Sequence, residues 1–244
     1  MKQLIFKIKE NVQLTDTVYK MLLEGDTSDI RCGQFVNIQL DGLYLRRPIS
    51  VCDCEGDILT IIYKVVGKGT EQMAQMTAGE ELDVLTGLGN GYDLSLAGDK
   101  PVLIGGGVGV PPMYMLAKEL VRQGKEIKVI LGFNTKSEIF CEEDFKALGA
   151  EVTVATADGS YGVKGFVTDA LKDMEYSYFY TCGPEPMLKA LYKATSTSGQ
   201  FSFEERMGCG FGACMGCSCK TITGYKRICK EGPVLKKEEI LWED

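Results

Sequence analysis

Apolar and polar positions alternate through residues 1–97 in short runs: Leu4–Ile8, Tyr19–Leu23, Phe35–Ile38, Leu59–Val66 and Glu81–Leu85. Alternation puts every second side chain on one face and reads as half-buried β-strand. Gly25-Asp26, Asp41-Gly42, Glu55-Gly56-Asp57 and Ala78-Gly79 separate the runs with turn residues. Strands at this spacing predict a small antiparallel β-barrel, interrupted by one helix from Thr70 through Met76.

The pattern changes at Lys100-Pro101. Short buried strands at Val102–Ile104, Ile127–Gly132, Val152–Thr156 and Tyr178–Cys182 now alternate with helices at Pro112–Arg122, Cys141–Leu148, Phe166–Lys172 and Glu185–Ala194. Strand–helix alternation predicts a parallel sheet with helices on both faces. Thr195–Gly199 reads as a polar linker into a cysteine-rich end. The expected fold is therefore α+β and multidomain: a barrel over 1–97, an α/β nucleotide-type domain over 98–199, and a small third domain over 200–244.

That third segment carries Cys209, Cys214 and Cys217 in the spacing C-x4-C-x2-C, with Cys229 following. This is the plant-type spacing of an all-cysteine [2Fe–2S] cluster. Three thiolates on one tight loop hold one side of the cluster, and a distant fourth closes the other. Gly208, Gly210, Gly212, Ala213 and Gly216 keep bulk away from the inorganic sulfides. A structural zinc site is the plain alternative, but zinc ribbons present two CxxC pairs and this loop has one. Cys229 is preferred over Cys219 as fourth ligand. It lies beyond a hairpin-like Thr221–Ile228 stretch turning at Gly224, whereas Cys219 is too near Cys217 along the chain. Phe211 and Met215 lie between the ligands, either as an inward lid or as an apolar contact patch.

Composition narrows the chemistry. A net charge of −7 makes nucleic acid an improbable partner. No apolar run approaches the ~20 residues of a spanning helix, so no membrane segment is expected. Met1–Lys9 alternates like a strand and lacks a long apolar stretch, so no signal peptide is expected. The ten cysteines then read as reduced thiols and cluster ligands in the cytoplasm. The chain has no histidine. That removes Rieske centres, the usual catalytic zinc sites and the Ser-His-Asp triad.

Two further sites suit nucleotides. Gly105, Gly106, Gly107 and Gly109 follow a strand, and Pro111-Pro112 opens a helix. Glycines admit a dinucleotide backbone, and a helix N-terminus favours phosphate. A tight strand–helix turn is the structural alternative. Cys182, Gly183 and Pro184 end the last strand, where open α/β sheets bind ligands. Cys182 is a candidate contact for a nicotinamide ring or a buried small apolar residue. In the barrel, Arg46-Arg47-Pro48-Ile49-Ser50 ends a strand with a possible pyrophosphate partner. Lys64 to Thr70 leads into the barrel helix, and Gly87–Gly91 is either a third phosphate-compatible turn or a plain one. Gly132–Ser137 ends the second α/β strand with one lysine and no arginine, which favours NAD over NADP.

Together these motifs resemble the ferredoxin–NADP reductase superfamily. With Glu205–Cys209 and the three-cysteine loop, the chain is similar over its whole length to the electron-transfer subunits of class 1B dihydroorotate dehydrogenases. The resemblance implies FAD on Arg47, Pro48, Ile49, Ser50, Ile62, Tyr63, Lys64, Gly69 and Thr70. It implies a [2Fe–2S] cluster on Cys209, Cys214, Cys217 and Cys229, and NAD at the glycine loop. It also implies a partner, an FMN-containing catalytic subunit that oxidises dihydroorotate, in a heterotetramer of two of each chain. Electrons would run from FMN through the cluster and FAD to NAD+, and this chain would supply no catalytic side chain of its own. Flavin/iron–sulfur subunits of NADH-dependent ferredoxin:NADP oxidoreductases and of sulfhydrogenases share the layout and form the alternative. A zinc-binding interaction module is an alternative of a different class.

Overall fold

The structure is a computed structural model that describes residues 1–242; positions 243 and 244 of the expected third segment lie outside the described residues. Six strands, β1 (Lys2–Gln13), β2 (Val18–Glu24), β3 (Phe35–Ile38), β4 (Arg47–Glu55), β5 (Ile58–Lys64) and β6 (Glu81–Leu88), close an antiparallel barrel. Their order around it is β1-β2-β5-β4-β3-β6, so β4 is flanked by β5 and β3. Helix α1 (Lys68–Gln75) leaves the end of β5. Alternation explains the barrel core: Val36 and Ile38 from β3, Leu59 and Ile61 from β5, and Phe6 from β1 point inward and are buried. Phe35, on the opposite face of β3, packs instead with the C-terminal segment.

The second unit follows as β7 (Val102–Gly106), α2 (Pro111–Arg122), β8 (Lys128–Phe133), α3 (Glu142–Ala147), β9 (Glu151–Thr156), β10 (Val163–Lys164), α4 (Val167–Leu171), β11 (Phe179–Cys182) and α5 (Glu185–Ala194). Then come β12 (Gly199–Ser202), a hairpin of β13 (Ser218–Thr221) and β14 (Gly224–Arg227), and β15 (Val234–Lys236). The large sheet runs β10-β9-β8-β7-β11-β12-β15, with β15 antiparallel to β12. The cysteine-rich segment thus completes the edge of the nucleotide sheet before and after its own loop. Neither strand shows in the hydrophobic pattern, because β12 reads Gly-Gln-Phe-Ser with one large apolar residue and β15 offers only Val234 and Leu235. The Arg47–Ser50 motif also differs from expectation: it opens β4 rather than closing a strand. Pro48, which cannot donate a ladder hydrogen bond, sits at the second position of that strand.

Three contacts fix the units against one another. Helix α2 donates Lys118 to Asp53 of β4 at 2.7 Å, with both side chains mostly buried. Ile62 points out of the barrel into the apolar group that holds Leu103 and Val110. Asn90, in the glycine-rich turn after β6, clamps the C-terminal segment. Its amide donates to the carbonyls of Glu231 (3.1 Å) and Val234 (2.7 Å), and its Oδ1 accepts from Val234 N (3.1 Å). Gly89 in that turn has a φ of +76°, and a Cβ there would lie 2.5 Å from Pro233 Cδ. The turn is thus a joint between segments far apart in the chain. Among the described residues no helix is long and apolar enough to cross a membrane.

Candidate redox site

The cysteine loop brings its four sequence-predicted sulfurs together as two pairs. Cys209 and Cys214 are within thiol hydrogen-bonding reach of each other, and so are Cys217 and Cys229. Cys209 Sγ also accepts from the backbone N–H groups of Ala213 (3.2 Å) and Cys214 (3.4 Å). Cys214 Sγ accepts from Gly216 N, and Cys217 Sγ from Cys229 N, each at 3.4 Å. Burial pushes the Cys209 thiol up, but the N–H groups of Phe211, Cys214 and Ala213 outweigh it and bring the value down to about 6. Burial, with the Cys217 thiol beside it, pushes Cys229 up to about 12. Amide donors aimed at sulfur are what a thiolate cluster uses to stabilise its charge. Among the described residues no group of three or more such side chains is set to hold a single ion. The residues present fit a [2Fe–2S] group.

Cys219 sits one residue into β13, opposite Lys226, and its thiol is raised by burial. The loop is braced from behind: Arg227 donates to Gly212 O at 2.7 Å and pairs with Glu231. Phe211 and Met215 are 43% and 54% exposed, so they face outward rather than forming a lid.

The barrel supplies the flavin candidates from two directions. Arg47, at the start of β4, lays its side chain across the first turn of α1. A Cβ at Gly69 would overlap the Arg47 Nε and lie 2.8 Å from its Cζ, so the guanidinium occupies the space that glycine leaves at this helix end. Thr70 Oγ1 accepts from Val66 N (2.9 Å) and Gly67 N (3.2 Å), which fixes the turn. A cation lying on a helix N-terminus fits the pyrophosphate of FAD. Pro48 and Ser50 share one face of the β3–β4 ladder with their partners Asn37 and Phe35. Ile49, by contrast, packs with the barrel core. Tyr63 turns into the barrel, where its hydroxyl donates to Asn11 Oδ1 at 3.0 Å, and Ile62 is buried against the second unit. These two side chains are therefore committed to packing.

Between barrel and sheet lies a cavity of ≈ 570 Å³. Thr15, Thr17 and Lys64 line it from the barrel, Gly106, Gly107 and Pro184 from the mouth of the sheet, and Glu138 and Phe166 from the far side. It sits at the carboxyl ends of β7, β8 and β11, where open sheets take nucleotides. The glycines divide their tasks. Gly107, at φ +53°, has open space where a Cβ would project, whereas Gly105 and Gly109 are pressed against backbone. Cys182 is buried behind this wall, with its carbonyl against Gly109, and does not line the cavity. Glu204 does line it, and the surrounding protein pushes its carboxyl up. Glu138 Oε2 accepts from the backbone N–H (3.2 Å) and side-chain amide (2.9 Å) of Asn134, which fixes the carboxylate at the end of β8. An acidic group there suits a ribose 2′-hydroxyl and repels a 2′-phosphate.

Residues 204–241 match the iron–sulfur cluster binding domain of dihydroorotate dehydrogenase B, and residues 103–193 match an oxidoreductase NAD-binding domain. The chain is 46% identical to the dihydroorotate dehydrogenase B (NAD(+)) electron transfer subunit of Fusobacterium nucleatum, with 96% of each covered. It is 43% identical to the subunit of the same name from Bacillus pumilus, with 98% of each covered. The chain belongs to the family of dihydroorotate dehydrogenase B electron transfer subunits. Among solved structures, an NADH-dependent reduced ferredoxin-NADP oxidoreductase superposes with a TM-score of 0.89 at 29% identity, covering 97% of this chain and 90% of that one. A ferredoxin NADP+ reductase from Neisseria gonorrhoeae with bound FAD and NADP shares the fold, with a TM-score of 0.69 at 18% identity over 80% of this chain and 90% of that one.

As in its family, this subunit handles FAD, a [2Fe–2S] cluster and NAD. Sequence reasoning did not single out Glu138, Glu204 or Phe166 as cavity residues. Glu138 carries a usable signal, an acidic residue shortly after the second α/β strand. Glu204 and Phe166 carry none, because only the fold brings them to the cavity.

Proposed function

We propose that this chain accepts electrons from a partner subunit that oxidises dihydroorotate to orotate, and passes them through its cluster and FAD to NAD+. The observation that carries this reading is the near full-length likeness to subunits of that name, at 46% identity. The likeness to a ferredoxin-NADP oxidoreductase, at 29%, is lower, which disfavours that alternative. When bound, FAD exchanges a hydride with the nicotinamide and single electrons with the cluster.

The side chains would serve this as follows. Cys209 and Cys214 would hold one iron, Cys217 and Cys229 the other, with loop amides lowering the charge on sulfur. Arg47 and the first turn of α1 at Gly69-Thr70 would hold the pyrophosphate, and Pro48 and Ser50 the ring edge, with Ile49 contributing only through its backbone. Ile62, Tyr63 and Lys64 would contribute through the β5 edge. Gly106 and Gly107 would admit the nucleotide phosphates, with Gly105, Gly109, Cys182, Gly183 and Pro184 shaping the wall behind them. This assigns flavin to 1–97, NAD to 98–199 and the cluster to the segment from residue 200. The partner is proposed to be FMN-containing, assembled as two of each chain in the cytoplasm. The exposed Phe211 and Met215 support a contact at the cluster loop.

Purified chain should hold one FAD with two irons and two acid-labile sulfides. With the catalytic subunit added, it should reduce NAD+ when dihydroorotate is supplied. One zinc and no sulfide would overturn the cluster. A loaded chain that couples only to ferredoxin would overturn the partner.

A further inference from the structure

Asn37 joins the cluster loop to the flavin strand. It lies in the middle of β3, is 1% exposed, and stands directly opposite Pro48 in the ladder with β4. Direct antiparallel partners point to the same side of the sheet, so the Asn37 side chain shares its face with Pro48. Its Nδ2 donates to the carbonyl of Cys209, the first cysteine of the loop, at 3.3 Å and across 172 residues of sequence. Because a carbonyl can only accept, this contact fixes which end of the amide faces the loop. The loop makes room for it. Gly210 adopts φ +77°, and a Cβ there would overlap Asn37 Nδ2 and lie 3.2 Å from its Cγ. The strand itself is held in place by Arg46, whose Nη1 donates to Asn37 O (3.3 Å), Asp83 O (3.1 Å) and Asp83 Oδ1 (2.9 Å).

The other end of the amide has no partner. Asn37 Oδ1 is buried without a hydrogen bond among the described residues. A buried unpaired acceptor costs stability, and an apolar side chain of the same shape would remove that cost. The residue is therefore poorly explained by folding alone. We propose that Asn37 is a positioning residue that sets the register of the cluster loop against the flavin strand, and so governs electron exchange between cluster and FAD. This rests on the function proposed above, and the test separates the two.

The variants are Asn37→Leu, which keeps the volume and removes the amide, and Gly210→Ala, which displaces the amide from the loop side. Each is made in the full chain and loaded with FAD and cluster. After rapid mixing with NADH, flavin and cluster reduction are followed by their visible absorption, with flavin reduction as internal reference. The dithionite-reduced cluster is examined by electron paramagnetic resonance. Loss of such an outer contact typically costs roughly 10-fold or more, so the ratio of cluster to flavin reduction rates should fall about that much in both variants. The resonance line shape should change, while the melting temperature of Asn37→Leu stays the same or rises. Wild-type ratios and line shapes in both variants would overturn the proposal. So would an Asn37→Leu chain that fails to fold or load beside a Gly210→Ala chain with wild-type transfer, because Asn37 would then be structural. Wild-type chain lacking FAD or iron would instead overturn the function proposed above and leave no two groups to couple.

Discussion

Gly107 and Gly109 are two residues apart in one loop, yet the structure requires opposite outcomes when each becomes alanine. At Gly109 a Cβ would sit 2.6 Å from Gly183 Cα and press on the Cys182 carbonyl. Both obstacles are backbone of β11 and its exit, which cannot rotate away as a side chain can. Overpacking of this kind costs about 3 kcal/mol. At Gly107 nothing lies within 4 Å of the new methyl, so only the left-handed φ of +53° is penalised. That costs about 1 kcal/mol. In a chain of this size each kcal/mol moves the melting temperature by about 2–4 °C. Gly109→Ala should therefore melt roughly 6–12 °C lower, and Gly107→Ala roughly 2–4 °C lower, by circular dichroism on FAD-loaded protein. Binding should rank the other way among correctly folded molecules. The Gly107 methyl would stand in open space on the lining of the cavity proposed to take the nucleotide, and a loss of about 1.4 kcal/mol would raise the NADH Kd about tenfold. Equal melting temperatures would refute the packing argument. Wild-type NADH affinity in Gly107→Ala would refute the placement of the nucleotide in this cavity.

Other outcomes follow from the site. Cys214→Ser should abolish the cluster absorption while NADH reduction of an artificial dye continues, since the hydride step needs only FAD and the cavity; Cys219→Ser should keep the cluster, and its loss there would make Cys219 a ligand in place of Cys229. Glu138→Gln removes the charge that faces a 2′-phosphate, so the preference for NADH over NADPH in dye reduction should fall about tenfold, a change of about 1.4 kcal/mol. Met215→Glu places a charge in an exposed apolar loop at a cost of about 1–3 kcal/mol if a partner covers it. Complex formation by size-exclusion chromatography and dihydroorotate-dependent NAD+ reduction should then both drop, with NADH-to-dye activity retained.

What could be read from the sequence was whatever repeats along it. The barrel strands announce themselves by alternation, and the α/β unit by its change of period at Lys100-Pro101. The cluster cysteines are legible because three of them must share one loop, so chemistry fixes their spacing. The preference for Cys229 over Cys219 as fourth ligand came from a distance argument; Cys229 lies beside Cys217, and Cys219 stands on a strand opposite Lys226. Less was legible where a residue's role depends on what folds against it. Tyr63 and Ile62 adjoin Lys64 in sequence, but the twofold period of the strand sends Tyr63 into the barrel and Ile62 against the second unit. Strands β12 and β15 hold too few apolar residues, one in Gly199–Ser202 and two in Val234–Lys236, for the pattern to mark them. The Gly87–Gly91 turn reads in sequence as either a phosphate-compatible turn or a plain one, and only the fold shows that its Asn90 holds residues 231–234.

The order of strands in the barrel explains why one small chain can serve two kinds of electron transfer. The flavin motif opens β4, and β4 has one neighbour on each side. On one side β5 ends at Lys64 on the nucleotide cavity. On the other, β3 presents Asn37 to the cysteine loop. On the function proposed above, the two-electron carrier and the one-electron carrier would approach the same strand from opposite flanks. Neither sheet alone creates this arrangement. It needs Asn90 to hold the C-terminal segment beside the barrel, and β15 to return that segment to the nucleotide sheet. The cluster loop is thus anchored to both larger units, while its outer face, with Phe211 and Met215, stays open.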